Sequence, residues 1–170
     1  TVLDGRQEIK NILDGKDRRL LIVTGPCSII SRRQALKYGE LLAGLQEKVK
    51  KTIKLVMRVY FEKPRTNVGF KGLISDPHID KKTFDIDEGL RKAREILMDL
   101  NEMGVAAGTE ILSQTAAERL SGLICWACIG ARTTESQNHR EWASAFSMPV
   151  GFKNGTDGNL DTAINALLAA

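Results

Sequence analysis

Short apolar runs alternate along this chain with longer stretches of helical periodicity. Residues 20–24 (LLIVT), 55–60 (LVMRVY), 105–112 (VAAGTEIL), 128–131 (CIGA) and 149–152 (PVGF) are the runs. They are short and bounded by glycine, proline or polar residues, which predicts buried strands. Between them, apolar residues recur at spacings of three and four. Residues 1–19 carry Val2, Ile9, Ile12 and Leu13, with Gly15 as a stop. Ser31 is placed to cap a helix over 32–49, with Ala35, Leu36, Leu41, Leu42 and Leu45 on its apolar side. Asp87 is placed to cap a helix over 88–103, built on Leu90, Ala93, Ile96, Leu97 and Leu100 and stopped by Gly104. Further helices are expected over 113–123, 137–146 and 159–170.

Strand and helix thus alternate about five times, which predicts an α/β fold with parallel strands and crossover helices. The strands read as apolar on both faces, as buried parallel strands do. In such folds the active site lies at the C-terminal ends of the strands. Cys27, Arg58, Lys63, Arg65, Glu110, Arg132 and Lys153 all fall at or just after a predicted strand end. The densest stretch is 54–66 (KLVMRVYFEKPRT), where Arg58, Lys63 and Arg65 cluster and Pro64 closes the strand. Cations at a buried strand mouth are costly to desolvate unless they meet anions. One reading is a site for a small molecule carrying carboxylate and phosphate groups, which suit the planar guanidinium fork. The other is strand-end cations paired with Glu62 and nearby carboxylates. The irregular connection 67–87, with Gly69, Gly72 and Asp76-Pro77, reads as a functional loop. Residues 154–158 read equally as a plain turn or as a phosphate-side backbone cradle beside Lys153.

Composition narrows the classes. The 170 residues are 42% hydrophobic and 27% charged, as in a globular domain with a core of its own, and we expect one domain over 1–170. The net charge of +4 suits anionic substrates, while scattered cations and only 5% aromatic residues argue against nucleic acid. No apolar run approaches the roughly 18 residues of a membrane span. Residues 1–11 hold no apolar signal core, and three cysteines argue against a disulfide framework, so a reducing, cytoplasmic setting is expected. Cys125-x-x-Cys128 lacks the surroundings of a redox or zinc motif and reads as two buried small residues. His139 with Arg140 and Glu141 reads as a helix-surface network, and Lys48, Lys50, Lys51 and Lys54 as a solvated face.

Several long motifs resemble one family. They are Gly25-Pro26-Cys27-Ser28, MRVYFEKPRT (57–66), VGFKGLI (68–74), Asp76-Pro77-His78, GARTTES (130–136) and PVGFKNGTDG (149–158). Together they resemble the type I 3-deoxy-D-arabino-heptulosonate 7-phosphate (DAHP) synthases, and the similarity runs through the whole chain. The resemblance implies a (β/α)8 TIM barrel, of which 1–19 would be an N-terminal helical segment and 20–170 about five βα units. It implies condensation of phosphoenolpyruvate with erythrose 4-phosphate, as in the first step of the shikimate pathway, with a divalent metal ion (Mn2+, Fe2+, Co2+ or Zn2+). It places Arg58, Lys63 and Lys153 on the carboxylate side of phosphoenolpyruvate, and Arg132 with the Ala131 backbone N–H on its phosphate. Arg65 and Thr66 would take the aldose phosphate. Lys63, Glu110 and Lys153 would be catalytic, a lysine being a proton donor if desolvation lowers its pKa. Cys27 would be a metal ligand. A homo-oligomer and an aromatic amino acid effector are also implied.

The chain departs from the family pattern in places. A full barrel takes roughly 250 residues, and the family's remaining metal ligands and a further phosphate-binding arginine come from later strands. We therefore expect the isolated 170-residue chain neither to bind metal tightly nor to turn over. The alternative function is a catalytically incomplete unit that binds phosphorylated metabolites or a partner chain. Ile30-Ser31 stands where His-Asp is usual, and Ser113 where an aspartate is usual. Gln114, Ala117, Glu118 and Trp142 replace the usual effector-pocket types, while Ser147 is retained.

Overall fold

The computed structural model describes residues 1–65, 67–79 and 84–170. The elements are α1 (Val2–Leu13), β1 (Leu20–Thr24), α2 (Arg32–Val49), β2 (Ile53–Arg58), α3 (Ile86–Glu102) and β3 (Ala107–Ile111). They continue with α4 (Gln114–Leu120), a 3-10 turn (Ser121–Leu123), β4 (Trp126–Ile129), α5 (Gln137–Ala145), β5 (Val150–Phe152) and α6 (Asp161–Ala169). All strand pairs are parallel, in the order β1-β2-β3-β4-β5, so sequence neighbours are spatial neighbours. The result is an α/β partial barrel. Register aligns the strand ends: Thr24 lies opposite Met57, Ile111 opposite Ile129, and Ile129 opposite Phe152. Every strand therefore delivers its following residues to one rim.

Side-chain alternation splits the strands between two environments. Leu55, Met57 and Val59 enter the main core with Ala35 and Leu42 of α2, Leu90, Ala93, Ile96, Leu97 and Leu100 of α3, and Ala116 and Leu120 of α4. Val56 enters a smaller cluster with Ile9 of α1, Ala106 and Cys125. Helix α1 closes the end where the strands begin. Gly5 permits this, because a Cβ there would meet the Cys125 Sγ at 2.6 Å. Lys54, at the start of β2, pairs with Glu8 of α1 at 2.6 Å and is only 12% exposed. It is thus not part of the expected solvated lysine face.

Local chemistry explains where the elements stop. Thr1 and Asp4 form a capping box on α1. The helix ends at Leu13, and Gly15, the expected stop, takes a left-handed φ of +72° just beyond it. Gly104, at +75°, ends α3 in the same way. The cap of α3 is Asp85, which accepts from the Glu88 amide, while Asp87 sits in the first turn. Strand β4 starts and ends two residues earlier than its apolar run suggests. The Gly130 carbonyl has left the ladder and accepts from the Thr133 amide, opening a turn. On α2 the buried stripe is Ala35, Gly39 and Leu42, whereas Leu41 and Leu45 are exposed. Edge strand β1 is not buried on both faces: Leu20 is 61% exposed.

Helix α3 lies directly on the 72–76 turn. A Cβ at Gly89 would fall inside the contact distance of the Ile74 carbonyl, backbone against backbone. Gly89→Ala is expected to cost at least about 2 kcal/mol of unfolding free energy, since overpacking here has no side chain to move aside. Urea unfolding followed by circular dichroism checks this; an unchanged midpoint would contradict it.

Candidate active site at the strand C-terminal rim

Two residues past β2, the ring of Tyr60 lies at the mouth of the sheet. Three cations stand over it: the Arg58 guanidinium at 3.9 Å from the centroid, the Lys153 Nζ at 4.9 Å and the Lys63 Nζ at 5.7 Å. All lie within the ~6 Å at which a ring face attracts a cation. Arg58 ends β2 and Lys153 follows β5, so register rather than sequence proximity brings them together. The Cys27 carbonyl, just past β1, accepts from Lys63 at 3.1 Å and from Arg58 at 3.5 Å. That approach requires Gly25: a Cβ there would meet the Arg58 carbonyl oxygen at 2.6 Å. The Arg58 Nε is buried with no hydrogen-bond partner.

Glu110 of β3, 5% exposed, accepts from Lys153 at 2.8 Å. It is the one carboxylate paired with these three cations among the described residues. Beneath the ring, the Tyr60 hydroxyl lies 2.9 Å from the Sγ of Cys128. Burial pushes both groups up: the phenol far above its ordinary range, and the Cys128 thiol above that of a free thiol. Both therefore stay neutral. The buried Thr134 hydroxyl lies 2.9 Å from the Gly130 carbonyl and 2.8 Å from the Lys153 carbonyl, tying the segments after β4 and β5.

The rim gathers Arg58, Lys63, Glu110 and Lys153, as the sequence suggests. It does not pair the cations with Glu62. That carboxyl is raised above its ordinary value by burial, partly offset by the Ser113 hydroxyl and the amides of 112 and 113. Its Oε2 has no hydrogen-bond partner. Arg65 folds back within its own loop, its Nε donating to the Phe70 carbonyl at 2.8 Å. Thr66 lies outside the described residues. Ala131 and Arg132 lie just past β4, after Gly130, and Arg132 is exposed. Cys27 has an exposed thiol. Among the described residues no group of three His, Cys, Asp or Glu side chains could hold a metal ion. The donors present therefore do not by themselves fit a closed metal site.

Two expectations outside the rim resolve differently. Cys125 and Cys128 are buried singly, as read. His139 is not a surface residue: it is buried, packs tilted against the Trp142 ring with centroids 4.4 Å apart, and bonds Ser136 at 2.8 Å. Sequence reasoning passed over Tyr60, Cys128 and Thr134. The signal available was phase: Tyr60 falls two residues after Arg58, on the same side of an extended backbone. Away from the rim, a cleft of about 520 Å3 lies between α1 and the 146–149 turn, where Ser147 accepts from Arg6 at 2.8 Å.

Glu62 yields a test of this electrostatic picture. A carboxyl that binds its proton more tightly folded than unfolded costs stability as pH rises from its unfolded to its folded pKa. Glu62→Gln is therefore expected to be more stable than wild type at pH 8, with the gap closing below the ordinary value of 4.5. Urea midpoints at pH 8 and pH 4 measure it; a variant less stable at pH 8 would contradict it.

The DAHP synthetase I family model matches residues 3–170. The chain is 54% identical over 169 residues to the Tyr-sensitive phospho-2-dehydro-3-deoxyheptonate aldolase of Escherichia coli K12, covering 99% of this chain and 47% of that protein. It is also 54% identical to the Phe-sensitive enzyme of that strain, covering 100% of this chain and 48% of that protein. The chain thus spans about half the length of the curated relatives it matches. A solved phospho-2-dehydro-3-deoxyheptonate aldolase from Francisella tularensis superposes with a TM-score of 0.95 at 46% identity, over 99% of this chain and 49% of that one. A Thermotoga maritima DAHP synthase, at 23% identity and a TM-score of 0.64 over 90% of this chain and 38% of that one, shares the fold. The chain belongs to the DAHP synthetase I family.

Proposed function

We propose that this chain forms the substrate-gripping part of a 3-deoxy-7-phosphoheptulonate synthase. The reaction joins C3 of phosphoenolpyruvate to the aldehyde carbon of D-erythrose 4-phosphate. Water adds at C2, and inorganic phosphate leaves. Two substrates that are both anionic must be held against their mutual repulsion, and fixed cations do this without reorganisation. The observation that carries the reading is the group of three cations over Tyr60, paired with one carboxylate. Arg58, Lys63 and Lys153 would hold the carboxylate side of phosphoenolpyruvate, and Arg132 with the Ala131 N–H its phosphate. Arg65 and Thr66 would take the aldose phosphate. Lys63 or Lys153 would deliver the proton to the new hydroxyl, with Glu110 fixing the Lys153 ammonium. A divalent metal of unassigned identity belongs to this reading, with Cys27 as its ligand here. Because Cys27 alone does not make a site, no step is routed through it. The curated relatives are named for sensitivity to Tyr, Phe or Trp. An aromatic effector and a homo-oligomer are accordingly part of the proposal.

A second reading, anion binding without turnover, is favoured because no group of three His, Cys, Asp or Glu side chains among the described residues could hold a metal ion. Two measurements on the full 170-residue chain separate the outcomes. Calorimetry with phosphoenolpyruvate is expected to show saturable, metal-independent binding, weakened at least about tenfold (~1.4 kcal/mol) in Arg58→Leu and Lys153→Met. The exposed α2 variant Arg33→Leu is expected to bind as wild type does. A folded chain that shows no binding would refute both readings. A DAHP-forming assay with Mn2+ on the same 170 residues is expected to show no turnover; turnover would instead exclude the second reading.

A further inference from the structure

The three clustered cations raise a physical problem that the proposed substrates do not solve when they are absent. Arg58, Lys63 and Lys153 approach a single ring, and among the described residues only Lys153 has a carboxylate partner. Like charges this close repel, and a second or third carboxylate would relieve the repulsion. It would also cancel the attraction for an incoming anion. Beyond Glu110, what faces these cations among the described residues is neutral. The Cys27 carbonyl accepts from Lys63 and Arg58, and the Tyr60 ring presents its electron-rich face to all three.

We propose that Tyr60 is a positioning residue that gathers Arg58, Lys63 and Lys153 without neutralising them. This inference rests on the anion-binding reading of the rim. The ring is well suited to the role. It is 5% exposed, so its attraction for cations is weakly screened. Its hydroxyl is held by the Cys128 thiol at 2.9 Å, which fixes the ring's tilt from the far side. It spans β2 and β5, whose ends are separated by the two intervening strands. A leucine would fill similar space but offer no face to the cations. A phenylalanine would keep the face and lose only the bond to sulfur.

The test compares Tyr60→Leu, Tyr60→Phe and the distant core variant Leu97→Ala, with Tyr60→Met in reserve should the leucine variant not fold. Calorimetry uses two probes, phosphoenolpyruvate and inorganic phosphate, and thermal melts are recorded alongside. Tyr60→Leu is expected to lose about tenfold in affinity for both probes. Tyr60→Phe is expected to stay within about threefold of wild type. Leu97→Ala is expected to melt earlier yet bind as wild type does, which separates positioning from general loosening. Unchanged affinity in a folded Tyr60→Leu or Tyr60→Met overturns the proposal. So does an equal loss in Tyr60→Phe, which would assign the effect to the hydroxyl–thiol contact. Phosphate binding without phosphoenolpyruvate binding refutes the substrate assignment while leaving the role of Tyr60 measurable. Wild type that binds neither probe overturns both.

Discussion

Uncompensated positive charge at the strand ends is the constraint on which the site depends. A protein ordinarily pairs such groups with carboxylates or leaves them in water. Here, among the described residues, a single carboxylate, Glu110, meets a single one of these cations, Lys153, and the rest of the stabilisation comes from a carbonyl and an aromatic face. That arrangement is possible only if several strands end at one level. The parallel register supplies this, and Gly25 lets β1 approach the backbone of Arg58 closely enough for the Cys27 carbonyl to take part.

The fold holds that level by bracing β2 from both ends. At its beginning, Lys54 is tied to Glu8, and Glu8 also meets Arg19 at 3.4 Å. Along its length, Leu55 and Met57 are buried among α2 and α3 while Val56 packs on α1. At its far end, Thr109 donates to the Val59 carbonyl at 2.7 Å, and Ile29 donates to that of Tyr60 at 2.9 Å. The segment carrying Arg58, Tyr60 and Lys63 is thus continuous with a strand whose middle, Leu55 to Met57, is buried. This is how a site in which Lys63 and Lys153 lie beyond their strands keeps its geometry.

Much of this was legible in the sequence, for identifiable reasons. Strand–helix alternation is written in the spacing of apolar residues, and the strand-end phase of Arg58, Lys63, Glu110 and Lys153 follows from it. Boundaries were less legible where carbonyl groups rather than side chains decide them, as at Gly130. Burial misled where an apolar residue sits beside the stripe rather than on it, as with Leu41 and Leu45 of α2. Tyr60 and Cys128 were hidden because both resemble core residues in composition. Their roles come from a pairing 68 positions apart. Glu62 misled in the other direction, as a charged residue that is held inside without pairing to the cations beside it.

The neutral support beneath the cations also sets the range of their influence. With few internal counter-ions, the rim's field is limited by dissolved salt, whose screening length is about 8 Å at physiological ionic strength. The rim is therefore a short-range trap rather than a long-range funnel. An anion feels it on arrival, and discrimination among anions falls to charge count and shape at contact. A dilute, multiply charged metabolite can then compete with abundant singly charged ions. Each added negative group meets another cation already in place and costs the protein little further rearrangement.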